Sequence, residues 1–110
     1  MTPHDVRALA LALPEAHEED HHGRPSFRVA DKIFATLPDG EHVNVMLGPE
    51  ECDAALAAHP EAVQELWWGK RRAGVSVGLA GAGQGLLQPL LREAWRRRAP
   101  RKLLRLLGEL

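Results

Sequence analysis

Ten of the chain's 14 Lys and Arg side chains fall between Val63 and Leu110, and they are grouped. Lys70, Arg71 and Arg72 follow directly on Trp67 and Trp68. Arg92, Arg96, Arg97 and Arg98 stand together further on, with Arg101, Lys102 and Arg105 beyond Pro100. The planar fork of a guanidinium donates two hydrogen bonds at once and so suits phosphate. An aromatic ring beside such cations can stack on an exposed base. A second group, His17-Glu18-Glu19-Asp20-His21-His22, places six possible metal ligands in succession. Glu18 and His21 have the i, i+3 spacing of helical di-iron bundles. That design needs a second such motif and further glutamates on other helices, and the chain has no second motif. Structural zinc sites take cysteines or well-separated histidine pairs. The expectation for the segment between Pro14 and Gly23 is therefore a solvated acidic loop, with no resident metal and no cofactor.

Other catalytic chemistries have weaker support. Ser26 is close in sequence to His22 and Asp20, but a triad base is held by a third group from elsewhere in the chain. Cys52 stands near the start of an alanine-rich helical pattern, where a helix dipole could lower its pKa; packing is the simpler role. Gly81-Ala82-Gly83-Gln84-Gly85 precedes a helical pattern, yet it lacks both the dinucleotide spacing and a P-loop lysine. A turn from strand to helix explains it. No catalytic residue is assigned, and the chain is expected not to be an enzyme.

Charge is unevenly spread. Net charge is −1 over 110 residues, which argues against a general nucleic-acid binder. Residues Met1 to Ala62 carry 12 acidic and 4 basic side chains, and Val63 to Leu110 carry 3 acidic and 10 basic. An acidic first half and a basic second half result. Either the two pack together and neutralise each other, or a basic face remains near the C-terminus. With 45% hydrophobic content, residues 1–110 can form one domain with its own core. There is no basic-then-apolar leader, no apolar run of membrane-spanning length and one cysteine, Cys52. A cytoplasmic protein without membrane contact is expected.

The elements that must position these groups follow from periodicity. Thr2, Pro3 and Asp5 open a helix whose stripe is Val6, Leu9, Ala10 and Leu13, closed by Pro14. Three strands follow in quick succession between Gly23 and Leu47, carrying both phenylalanines, Phe27 and Phe34. Ala30-Asp31 and Asp39-Gly40 make the reversals, with Gly40 supplying a positive φ. Such close strands must pair antiparallel. Pro49-Glu50-Glu51 opens a second helix that Pro60 ends. Leu66–Gly69 and Val75–Leu79 form a last strand pair, joined by Lys70 to Gly74 as a cationic tip. A long helix starts near Leu86, because Pro89 belongs in a first turn. Its buried stripe is Leu87, Leu90, Leu91, Ala94 and Trp95. A short helix follows Pro100. The order of the main elements is α-β-β-β-α-β-β-α, an α+β domain.

Pro25-Ser26-Phe27-Arg28-Val29, followed by Lys32-Ile33-Phe34-Ala35-Thr36-Leu37, resembles the signature of the MmcQ/YjbR family. Leu13-Pro14-Glu15, Gly48-Pro49-Glu50-Glu51 and Glu93-Ala94-Trp95 match the family's helix boundaries, so the resemblance spans the chain from its first helix to Ala99. One departure is visible: Gly74 stands where the family often places a tryptophan before its final strand. The resemblance implies a two-layer fold, with an antiparallel sheet carrying helices on one face, similar to secretion-chaperone-like folds. It also implies DNA binding, the role commonly described for these proteins; it brings no catalytic motif.

Together the basic residues and the resemblance point to a non-enzymatic module that binds DNA with weak sequence dependence. Lys70, Arg71, Arg72, Arg96, Arg97, Arg98 and Arg101 are the expected phosphate contacts. Trp95 belongs to the core by its spacing, and Trp67 and Trp68 face opposite sides of a strand, so one at most is expected to be free. Two other classes stay open. A protein-interaction module would use the sheet face or Leu103-Leu104-Arg105-Leu106-Leu107, as monomer or homodimer. A metal-dependent protein would use His17 to His22.

Overall fold

The computed structural model describes residues 1–109. It begins with helix α1 (Pro3–Leu11), capped as its opening residues require. The Thr2 hydroxyl accepts from the Asp5 amide at 3.1 Å, and the Asp5 carboxylate accepts from the Thr2 amide at 2.9 Å. Strands β1 (His17–His21), β2 (Arg24–Val29), β3 (Lys32–Thr36) and β4 (His42–Met46) follow. Helix α2 (Pro49–Ala58) leads to β5 (Val63–Trp68) and β6 (Arg71–Gly78). A 3₁₀ turn (Leu79–Gly81), helix α3 (Gln84–Arg98) and helix α4 (Arg101–Leu106) complete the chain. The six strands form one antiparallel sheet in the order β1-β2-β3-β4-β6-β5.

The helices pack on one face of this sheet, so the fold is two-layer α+β. Phe27, Ala35, Val43, Val45, Val63, Val75 and Val77 supply the sheet side of the core. Val6, Cys52, Leu87, Leu91, Ala94 and Trp95 supply the helical side. Trp95 is fully buried, and its indole N–H donates to the Pro14 carbonyl at 2.9 Å. That bond ties α3 to the end of α1. Leu103 and Leu104 are buried against the same core, whereas Leu106 and Leu107 are exposed.

Three expectations about the strands need correction. The segment His17 to His21 is a fourth strand rather than an acidic loop, pairing with β2 from His17↔Arg28 to His21↔Arg24. It has no apolar alternation because it is an edge strand, where charged side chains discourage pairing with another sheet. Strand β6 begins at Arg71, so Arg71 and Arg72 lie in the ladder and only Gly69 and Lys70 form the tip. Gly40 is not in the left-handed region. The β3–β4 connection turns instead on Asp39, whose Oδ1 accepts from the amides of Glu41 (2.7 Å) and His42 (2.8 Å).

Helix α3 likewise starts two residues before the expected Leu86, which leaves Pro89 inside it. The carbonyl that Pro89 cannot bond belongs to exposed Gly85, so water can satisfy it.

The hairpin loops between β1 and β2, β2 and β3, and β5 and β6 are each two residues long. His22 and Gly23 adopt φ of 55° and 81°, and Gly69 adopts 62°, as primed turns require. Ala30 and Asp31 make the β2–β3 reversal as expected, at φ of 49° and 63°. A left-handed alanine costs energy because its Cβ crowds the following carbonyl. Ala30→Asn is therefore expected to raise stability by about 0.5–1 kcal/mol, read as a higher urea midpoint at unchanged slope.

Two irregularities re-aim the sheet. Between the pairs Phe27↔Ala35 and Arg28↔Ile33, Phe34 is an extra residue. Between Leu66↔Gly74 and Trp67↔Arg72, Ala73 is extra. Beyond the second bulge Trp67 pairs with Arg72, which reaches Asp53 on α2, and Trp68 pairs with Arg71 on the other face of the strand pair.

Candidate nucleic-acid interface

The expected cations divide into two groups. Arg72 is neutralised: its guanidinium reaches Asp53 on α2 at 2.9 Å and Glu65 on β5 at 3.1 Å. It also donates to the Pro49 carbonyl at 3.3 Å. The hydrogen bonds to Asp53 and Glu65 raise its pKa further. Arg72 is thus a bracket between α2 and the β5–β6 hairpin. Arg96 donates to the Glu109 carbonyl, and Arg92 pairs with the Glu109 carboxylate, both at 2.6 Å. These two arginines hold Glu109 against α3. Arg101 is exposed at the start of α4.

The second group converges. Arg98, the last residue of α3, lines a cleft of about 350 Å³ with His21, Arg28, Asp31, Lys32, Ile33 and Trp68. Its Nε is buried and, among the described residues, has no hydrogen-bond partner. Among those residues Arg98 also makes no ion pair. Burial pushes its pKa down, and the charges of Arg97 and Arg71 push it further in the same direction. Arg97 donates to the Met46 carbonyl at 3.3 Å, and its guanidinium lies beside Gly48 near the Glu51 carboxylate. Arg28 donates to the Ser26 hydroxyl at 3.1 Å.

Asp31 is the carboxylate on this cleft; it is 88% exposed and leans toward His17 at 3.7 Å. Arg28, Lys32 and Arg98 thus line the cleft against a single acid, and Arg71 adjoins it as the cross-strand partner of Trp68. Lys70 is exposed at the adjoining hairpin tip. The acidic first half and basic second half do not cancel here. The β2–β3 hairpin contributes its own Arg28 and Lys32 to the basic edge.

The tryptophans are arranged differently from expectation. Trp95 is core, as its spacing indicated. Trp67 and Trp68 do face opposite sides, but both are exposed, at 52% and 43%. Only Trp68 lines the cleft, and Arg71 is its cross-strand partner.

The remaining candidates do not assemble. Ser26 is fully buried, and its hydroxyl donates to the Glu19 carbonyl at 2.8 Å. Cys52 is buried, and desolvation raises its thiol pKa, contrary to a helix-dipole activation. His17 lies 2.7 Å from Glu19 and, with Asp31, forms a three-donor cluster at the sheet edge. His21, at the other end of β1, meets His22 of the following turn edge to face, with ring centroids 4.5 Å apart. A run of six ligands on a strand splits between its two faces and its two ends.

A family model described as YjbR matches residues 11–97. The chain belongs to the YjbR family. A protein of Deinococcus radiodurans, DR2400, whose crystal structure carries the domain DUF419, is similar to this YjbR-family chain in fold. The two share 21% identity, with a TM-score of 0.76, over 97% of this chain and 88% of the other. No curated protein matches. None of the helices among the described residues is long and apolar enough to cross a membrane.

Gly74 completes the comparison with the family pattern. It lies within β6, not before it, between Met46 and Leu66. A Cβ there would come within 2.0 Å of the Val45 carbonyl oxygen. This YjbR-family chain has no space for a side chain at that point, and exposed aromatic surface is supplied by Trp67 and Trp68 instead.

Proposed function

We propose that the chain is a non-enzymatic nucleic-acid-binding module that contacts phosphates through Arg28, Lys32, Arg71 and Arg98. The observation that carries this reading is Arg98: a guanidinium with a buried, unpartnered Nε, held beside two like charges. Burial and neighbouring like charges both disfavour its charged form, and the negative charge of a bound phosphate offsets that penalty. Arg72 and Arg96, locked onto protein partners, are left out of the contact set. Affinity arises chiefly from counterion release, so it depends on salt more than on sequence.

The test is a contrast between neighbours. Arg71→Ala is expected to weaken binding of a fluorescein-labelled oligonucleotide by roughly tenfold in low-salt buffer, across unrelated sequences. Arg72→Ala is expected to lower the urea midpoint, through loss of the α2 bracket, and leave binding unchanged. Equal losses of affinity in both variants, or none in Arg71→Ala, would reject the assignment.

A further inference from the structure

The basic edge could in principle follow the backbone of a duplex, but the shape of the cleft favours something smaller. It is an open depression of about 350 Å³, with room for one flat base laid against a wall. One of its walls is the indole of Trp68, which is 43% exposed and has Arg71 as its cross-strand partner. Arg98 lines the same cleft. A paired base cannot present its face to such a ring, because that face is already stacked on its neighbours. An unpaired base can, while its own phosphate remains within reach of cations. Ile33 adds apolar surface beside the ring, and Arg28 and Lys32 carry the positive edge onward toward the β2–β3 hairpin.

We infer that the cleft takes one unpaired nucleotide of a single-stranded nucleic acid, with its base stacked on Trp68 and its phosphate between Arg71 and Arg98. This rests on the nucleic-acid reading above and specifies the form of nucleic acid. Trp67, on the opposite side of the same strand, has no part in it.

Fluorescence anisotropy with labelled ten-nucleotide oligo-dT, oligo-rU and a ten-base-pair duplex tests it at one fixed low salt concentration. At least one single strand is expected to bind roughly tenfold or more tighter than the duplex. Trp68→Ala is expected to lose roughly tenfold in single-strand affinity, and Trp68→Phe to keep most of it. Trp67→Ala is expected to bind like the wild type. Circular dichroism establishes that each variant is folded, and the phenylalanine variant separates lost stacking from lost structure. Duplex binding as tight as single-strand binding would overturn the inference while leaving the broader reading intact. Unchanged affinity in folded Trp68→Ala would also overturn it. Binding of no nucleic acid at all would remove the proposed function itself.

Discussion

Gly74→Ala is expected to cost about 3 kcal/mol or more of stability, although it adds one methyl group to a strand. The added carbon would sit 2.0 Å from the Val45 carbonyl oxygen and 3.0 Å from the Leu47 amide nitrogen. Both obstacles are backbone, so no rotamer change relieves the clash. The sheet must separate between β4 and β6, an interior junction of its order. The Ala73 bulge lies next to Gly74, so the same movement disturbs the placement of Arg71 and Trp68. Urea unfolding of the purified variant checks the magnitude. A midpoint within a few tenths of a molar of the wild type would contradict the close packing described here. Gly78→Ala serves as the comparison, since the nearest atom to its added carbon is 3.8 Å away.

Trp95→Ala should be similarly severe. Trp95 is the largest fully buried side chain. Removing such a ring from a core typically costs about 3–5 kcal/mol, because the cavity collapses only in part. The Pro14 carbonyl loses its donor as well, and an orphaned buried acceptor costs about 1–3 kcal/mol more where water cannot reach it. Domains of this size are stable by about 5–15 kcal/mol, so much of the total would go. Thermal melting followed by circular dichroism reads the effect. Trp95→Phe should recover part of it, because it keeps the apolar contact but not the donor. A Trp95→Ala variant melting within a few degrees of the wild type would show that α3 is not anchored through this residue.

Much of this architecture was legible in the residues. The apolar alternation of Phe27 and Val29, and of Val43 and Val45, marked central strands, because their faces are buried. The stripe Leu87, Leu91, Ala94, Trp95 marked α3 for the same reason. Strand β1 was not legible, since an edge strand rich in Glu, Asp and His has no periodic burial to betray it. The Ala73 bulge was hidden too. Without it, neither the start of β6 nor the separation of Arg71 from Arg72 can be deduced.

The candidate site shows the same divide. Composition revealed that cations gather in the second half, but pairing is a property of three-dimensional neighbours. Arg72 meets Asp53, 19 positions away, and Arg98 meets no acid among the described residues. Arg28 and Lys32 stand in the acidic half of the chain yet reach the basic cleft, because the β2–β3 hairpin brings them there. Trp68 was one of two equivalent candidates until its face of the sheet was known.

The uncompensated charge of Arg98 is the centre of this description, and Arg98→Met addresses it directly. Methionine keeps much of the apolar stem and removes a charge that burial and two neighbouring arginines disfavour. The melting temperature with and without excess oligo-dT, in low salt, is the decisive measurement for the wild type and Arg98→Met. Without oligonucleotide the variant should melt at or above the wild type. With it, the wild type should gain several degrees by mass action and the variant should gain little. An equal gain in both proteins, or no gain in the wild type, would contradict a phosphate site at Arg98.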